Sequence, residues 1–289
     1  MAVTIDSVYV NTYENNVRFL AQQGITRLLP WVTVRGVQSE AHNWERLGKS
    51  VAAQKTTRKQ ATPDGETVWS RRQSVPLTWN VGDVTEVEDI VQMIVDPNSS
   101  YAKSHGMAMR RAHDTAIINA AVGDSRDGDG VAVVFPAEQE LGDGTTAITY
   151  DLVTATTELF MANDVDPDEE KVFVISPEQA RKLLQLTEAT SGDYNAVRPL
   201  TAKGYIESWM GYSWVVSTLL TSPTGDGSDV DCFAMTKRAL GFQMNKDIWA
   251  RVEQDPSISF AWRVYCASTF GAVRVEDEQI VKLTLSTTI

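Results

Sequence analysis

The residues that could carry chemistry in this chain are few and scattered. There are three histidines, His42, His105 and His113, and two cysteines, Cys232 and Cys266. A structural zinc site needs cysteines or histidines in close pairs, and no such pair occurs. Both cysteines sit in apolar, strand-like contexts, which reads as two buried free thiols. His105 and His113 are eight residues apart on an expected long helix, with no H-E-x-x-H pattern around them, and read as solvated helix histidines. Asp124, Asp127 and Asp129 resemble a calcium loop only superficially, because Arg126 and Gly128 occupy the intermediate places. Gly142-Asp143-Gly144 is a single G-x-G in an acidic stretch, the wrong charge for a phosphate. No P-loop and no G-x-S-x-G elbow is present. A glycosidase-type carboxylate pair is defined by spacing in the fold, and the sequence favours no pair over another. No catalytic residue, metal ligand or cofactor is therefore assigned.

The charge is unevenly placed. The formal net charge is −12, and Asp127 to Glu170 holds twelve acidic residues without a lysine or arginine. The rest of the chain balances at 26 of each sign. Within it, Trp44–Arg72 carries seven basic residues (Arg46, Lys49, Lys55, Arg58, Lys59, Arg71, Arg72) against Glu45, Asp64 and Glu66. One reading is self-complementarity, with the basic part of one copy meeting the acidic part of another. The other is two solvated surfaces without a partner. The basic stretch lacks the aromatic–basic alternation of a specific nucleic-acid reader. Apolar residues make up 43% of 289 residues, enough for a globular chain with a real core. The first residues show no basic-then-apolar secretory pattern, and no apolar run approaches bilayer-spanning length. The expectation is a chain that works in a cytoplasm or is made in one.

The elements that would position these residues can be read in order. Val17–Leu29 has a short helical pattern ended by Pro30, and Trp31–Val37 is strand-like. Residues 38–80 are polar and extended around the turn signal Thr62-Pro63-Asp64-Gly65, which reads as a long hairpin. Its flanks hold too few apolar residues to form a core, so something outside the hairpin must hold it. Trp44 and Trp69 are candidate apolar anchors there, with placement in the core the equal alternative. Glu86–Val95 is helix-like, and Asn98 or Ser99 would cap a helix to about Val122. Ala108, Ala112, Ala116 and Ala120 form a stripe that would admit another backbone, or simply repeat a good helix former. Gly123–Gly144 reads as a loop, Asp151–Asn163 as a helix and Lys171–Ser176 as a buried strand. Ser176-Pro177-Glu178 opens a helix to about Leu186. Strands follow at Ser213–Ser217 and Asp231–Met235, giving an α+β chain.

The last fifty residues are strand-rich. Ile258, Phe260, Trp262, Val264 and Cys266 alternate with Ser259, Ala261, Arg263 and Tyr265, the period of a two-faced strand. Gly271 is expected to break this run. Ala272–Val275 and Ile280–Leu285 would be two further strands separated by the acidic turn Glu276–Glu278.

These parts, in this order, resemble the major capsid proteins of tailed bacteriophages, the Hong Kong 97-like capsid fold. The resemblance rests on EVEDIVQMIVDPNSSYAKSHGMAMRRAHDTAIINA (Glu86–Ala120), VFVISPEQARKLLQ (Val172–Gln185), GYIESWMGYSWVVSTLL (Gly204–Leu220) and the closing strands, and is nearest to short-tailed phage capsids. Each motif is degenerate; their order and spacing carry the likeness. It implies an N-terminal arm at 1–30, an extended loop at 31–81, a peripheral domain with a long spine helix from 82–122 and 246–289, and an axial domain at 123–245. It further implies self-assembly as pentamers and hexamers into an icosahedral virion shell around double-stranded DNA. Implied partners are other copies of the chain, a portal protein and a decoration or cement protein, with no membrane. The arm begins almost at once, so a separate scaffolding protein is expected. Lys49, Lys55 and Lys59 match no identifiable isopeptide cross-linking pair. On this reading Trp44, Arg46, Lys55, Arg58, Lys59, Trp69, Arg71 and Arg72 are inter-subunit contacts, and reversing Arg58, Arg71 and Arg72 would weaken shells while leaving the subunit folded. The alternatives are an encapsulin-like compartment shell, a hydrolase using the acidic middle, and an adaptor or tail-tube protein.

Overall fold

The computed structural model describes residues 21–62, 65–86, 97–190 and 206–288. In chain order the strands are β1 (Thr33–Gly36), β2 (His42–Leu47), β3 (Trp69–Ser74) and β4 (Leu77–Thr85). Helix α1 (Pro97–Val122) follows, then β5 (Ser125–Arg126), β6 (Ala132–Val133) and β7 (Glu140–Leu141). Next come α2 (Tyr150–Ala162), β8 (Lys171–Ile175), α3 (Pro177–Gln185), α4 (Thr187–Thr190), β9 (Ser208–Trp209) and β10 (Tyr212–Val216). The chain closes with β11 (Asp229–Thr236), β12 (Leu240–Asp255), β13 (Ala261–Arg274) and β14 (Ile280–Ser286). The expected turn at Pro63-Asp64, the helix-like stretch from Val87 to Val95 and the first part of Val17–Leu29 lie outside the described residues.

The contacts divide the chain into two units. The larger comprises Thr26–Thr78, Arg111–Asp247 and Thr269–Ile289. It is organised by a six-stranded mixed sheet in the order β7-β14-β11-β8-β10-β9. β8 reads Lys-Val-Phe-Val-Ile and is buried throughout because both sheet faces are covered. Phe173 and Ile175 join Cys232, Ala234, Val153, Phe160, Leu183 and Trp214 on one face. Val172 and Val174 join Phe233, Met235, Ile117, Ile118 and Phe242 on the other. Phe173 stacks on Trp214 with centroids 4.5 Å apart. α2 is capped by Thr149, whose side chain accepts from Leu152 N–H, and α3 by Ser176, which accepts from Gln179 N–H. Cys232 and Cys266 are buried free thiols.

The smaller unit comprises the described residues within Met1–Ile25, Trp79–Arg110 and Ile248–Ser268. In it the His105 imidazole meets Asp83 at 2.8 Å, and Trp249 packs edge-on to Tyr265 at 5.4 Å. Arg263 pairs with Asp255 at 3.1 Å.

Several expectations are corrected. Residues 21–28 are not helical, and Leu29–Trp31 is a single 3₁₀ turn. The Asp114 carboxylate takes the backbone N–H groups of Arg27 and Leu28, which a helix would have used itself. α1 begins at Pro97, so Asn98 and Ser99 lie inside its first turn. His105 and His113 are buried, not solvated. His113 packs edge-on to Phe270 and Phe242, at 4.3 and 5.6 Å. In the larger unit α1 buries His113, Ile117, Ile118 and Ala121, with Ala112 and Ala116 of the alanine stripe packed half-buried against the same core. The strand expected from Ile258 starts only at Ala261, because Ser259 and Phe260 take positive φ in a turn. Phe260 is accordingly exposed. Gly271 does not break β13. A Cβ there would stand 2.5 Å from the Val75 carbonyl oxygen, so glycine admits a second backbone and the strand continues. Gly123–Gly144 is not plain loop, since it holds β5, β6 and β7. The strand expected at Ile280–Leu285 is present as β14 and lies inside the six-stranded sheet, paired with β11 and β7.

Candidate functional site

The hairpin β2–β3 gathers most of the residues singled out from sequence. The strands pair antiparallel from His42↔Ser74 to Leu47↔Trp69, and with no other strand among the described residues. β2 alternates half-buried His42, Trp44 and Arg46 with exposed Asn43, Glu45 and Leu47.

Trp44 is committed within the chain. Its indole lies against Gly241, its Nε1–H donates to Ser74 Oγ at 3.1 Å, and Ser74 donates to the buried Gln243 Oε1 at 2.8 Å. Arg72 is committed too. Its side chain is 9% exposed and its Nη2 donates to Asp277 Oδ2 at 2.6 Å. Arg46 faces Glu278 at 3.7 Å, and Arg71 pairs with Glu45 of the opposite strand at 2.9 Å. The Asp127–Asp129 turn closes on β3. The backbones of Arg72 and Asp127 form an isolated antiparallel β-bridge, and Gly128 is so close that a Cβ would meet the Arg71 side chain at 2.9 Å. Asp127 Oδ1 accepts the N–H groups of Asp129 and Val131, so this carboxylate shapes its own turn. Between turn and hairpin lies a cleft of about 610 Å³ lined by arginines 46, 71 and 72, Trp69, Asp127 and Asp129.

Beyond the stem, Gly48 N–H donates to Val68 O at 2.9 Å. Lys49 pairs with Asp164 at 2.8 Å. The hydrogen bond raises the lysine pKa and lowers that of the aspartate. Lys55, Arg58 and Lys59 are exposed, with no ion pair among the described residues. Trp69 is 67% exposed, its register partner Leu47 58% and Val68 73%. Leu47 and Val68 were missed in the sequence, although the outward phase of Leu47 in β2 marked it. Part of the expected basic–acidic complementarity is thus met inside one chain, at Lys49–Asp164.

Elsewhere, burial raises the pKa of Asp231 and of Glu276. Each is engaged structurally, with Thr284 at 2.8 Å and Gln279 at 2.6 Å respectively. Among the described residues no cluster of three His, Cys, Asp or Glu side chains is placed to hold a metal ion.

The family model described as phage capsid protein matches residues 5–286. The chain belongs to the phage capsid protein family. No curated protein matches it. Among solved structures, the capsid of cyanophage P-SCSP1u is 17% identical with a TM-score of 0.75, covering 99% of this chain and 95% of that one. The mature capsid of bacteriophage PhiM1 is 16% identical with a TM-score of 0.71, covering 96% and 92%. The capsid of cyanophage Pam1 is 12% identical with a TM-score of 0.72, covering 99% and 98%. The capsid protein therefore has the Hong Kong 97-like fold that the sequence resemblance implied, and its place is the virion capsid. The encapsulin and hydrolase alternatives gain no support from these matches.

Proposed function

We propose that this capsid protein is the major coat subunit of a tailed double-stranded DNA phage, forming pentamers and hexamers that close into an icosahedral shell in the host cytoplasm. The observation that carries the reading is the family match over residues 5–286, together with folds alike from end to end. On this reading the chain is structural and performs no catalysis. A scaffolding protein, a portal protein and a decoration protein are its partners besides other copies of itself, and packaged DNA lies nearby without sequence-specific contact. The domain assignment is carried forward in the same terms, with residues 31–81 as the extended loop.

Inter-subunit contact falls to the exposed part of the hairpin. Leu47, Val68 and Trp69 offer an apolar face, and Lys55, Arg58 and Lys59 offer charge that no described residue of the same chain neutralises. Each exposed ion pair contributes only about 0–1 kcal/mol, but symmetry repeats it many times. Negative-stain electron microscopy of the protein, alone and with a candidate scaffolding protein, tests the function. Closed uniform shells are expected in at least one sample; rings, tubes or monomers in both would overturn it.

A further inference from the structure

β2 and β3 form a two-stranded sheet, marginal by itself, with one isolated backbone bridge from Arg72 to Asp127, so side-chain ties to the rest of the unit help set its direction. The tie at the Trp44↔Arg72 rung is unlike the others. Asp277 accepts from Arg72 Nη2 at 2.6 Å with one oxygen and from Arg274 Nε at 2.7 Å with the other. Arg274 is fully buried and fixed by independent groups. It donates to the carbonyls of Gly123, Val133 and Val134, and its guanidinium lies 4.6 Å from the centre of the Phe135 ring. Asp277 thus couples a buried, multiply bonded arginine to the hairpin through a pair shielded from solvent. The outer pairs, Arg46–Glu278 and Lys49–Asp164, are long or exposed, and salt screens them.

We propose that Asp277 is the positioning residue of the hairpin. Its bond to Arg72 sets the direction in which the stem leaves the subunit, and hence where Leu47, Val68 and Trp69 are presented to a second copy. The presentation step rests on the shell reading above; the pinning of the stem does not.

The test uses the full chain carrying Arg72→Met, which keeps the aliphatic stem and leaves the Arg274–Asp277 pair intact. Arg72→Lys, which keeps the charge but loses the fork, is the second variant should the first fold poorly. Lys49→Ala is the control. Amide hydrogen exchange of residues 42–47 and 69–74 is measured beside shell yield and diameter. Arg72→Met should speed stem exchange by about tenfold or more, with protection of β8 and β11 unchanged, and should lower yield or broaden diameter. Arg72→Lys should fall between it and the parent, and Lys49→Ala should change neither reading. Molar salt should speed exchange at Gly48 and Lys49 but not at Arg72. Parent-like stem exchange in both Arg72 variants would overturn the pin. A loosened stem that still builds parent-like shells would overturn its positioning role. Should the parent build no shells either alone or with the scaffolding protein, the shell-forming reading fails, and the exchange data still decide the pin.

Discussion

Trp44 and Gly241 are matched. A Cβ at position 241 would stand 2.5 Å from the indole Cε2, so glycine is what lets the tryptophan lie on β12 and anchor the base of the hairpin. Gly241→Ala should displace the ring, disturb its hydrogen bond to Ser74 and cost about 1–3 kcal/mol in chemical denaturation. Trp44→Phe should recover part of that loss in the double variant. Strictly additive effects would show that the two residues are not coupled.

Gln179 is fully buried at the first turn of α3 and bridges two distant backbone groups. It accepts from Ile148 N–H at 2.8 Å and donates to Ser286 O at 2.6 Å. Gln179→Leu keeps the volume and orphans both groups, at about 1–3 kcal/mol each. A summed loss of about 2–6 kcal/mol in urea unfolding is expected. A loss under about 1 kcal/mol would mean that water or other groups replace the bridge.

Charge reversal should divide the basic residues of the hairpin into two classes. Lys55, Arg58 and Lys59 are exposed, and their joint change to Glu should leave subunit stability almost untouched while weakening shells. Arg72→Glu would set a second carboxylate against Asp277 in a buried place and should cost about 3–5 kcal/mol. The Arg58, Arg71 and Arg72 triple reversal is accordingly expected to lose subunit stability through Arg72 as well as to weaken shells. Thermal melts of the dissociated subunit, read beside electron microscopy, check both halves.

Acid should act on the turn before β11. Asp226 accepts from Ser228 Oγ, Thr224 Oγ1 and Ser228 N–H, which hold its pKa down to about 2 from an ordinary 3.8. Asp229, bonded by Ser222, is lowered as well. Folded pKa values below the unfolded ones give stability that is present above about pH 4 and lost as pH falls through the folded values. A carboxyl NMR titration should place Asp226 near the bottom of the aspartate range, and Asp226→Asn should remove that part of the acid response. A midpoint near 3.8 would refute the assignment.

Much of this fold was legible because its signals are local. Ser176-Pro177 announced α3, the apolar spacing of Asp151–Asn163 announced α2, and the uninterrupted Val172-Phe173-Val174-Ile175 a buried strand, whereas the Thr149 cap of α2 emerged only in the structure. The order of such elements carried the family resemblance. Local signals failed where the decisive partner is distant in sequence. Gly271 reads as a breaker until Val75 lies against it, and His113 reads as solvated until Phe242 and Phe270 enclose it.

The hairpin divides in the same way. Its basic charge and its shortage of apolar residues were set by composition, which is read directly from the sequence. Which of its residues are free was decided by tertiary structure. Arg72 and Arg58 are the same residue type in the same basic run, yet one is buried on a carboxylate 205 positions away and the other stands in solvent. An ion pair depends on distance and desolvation, and both are fixed only once the chain has brought Asp277 beneath the stem.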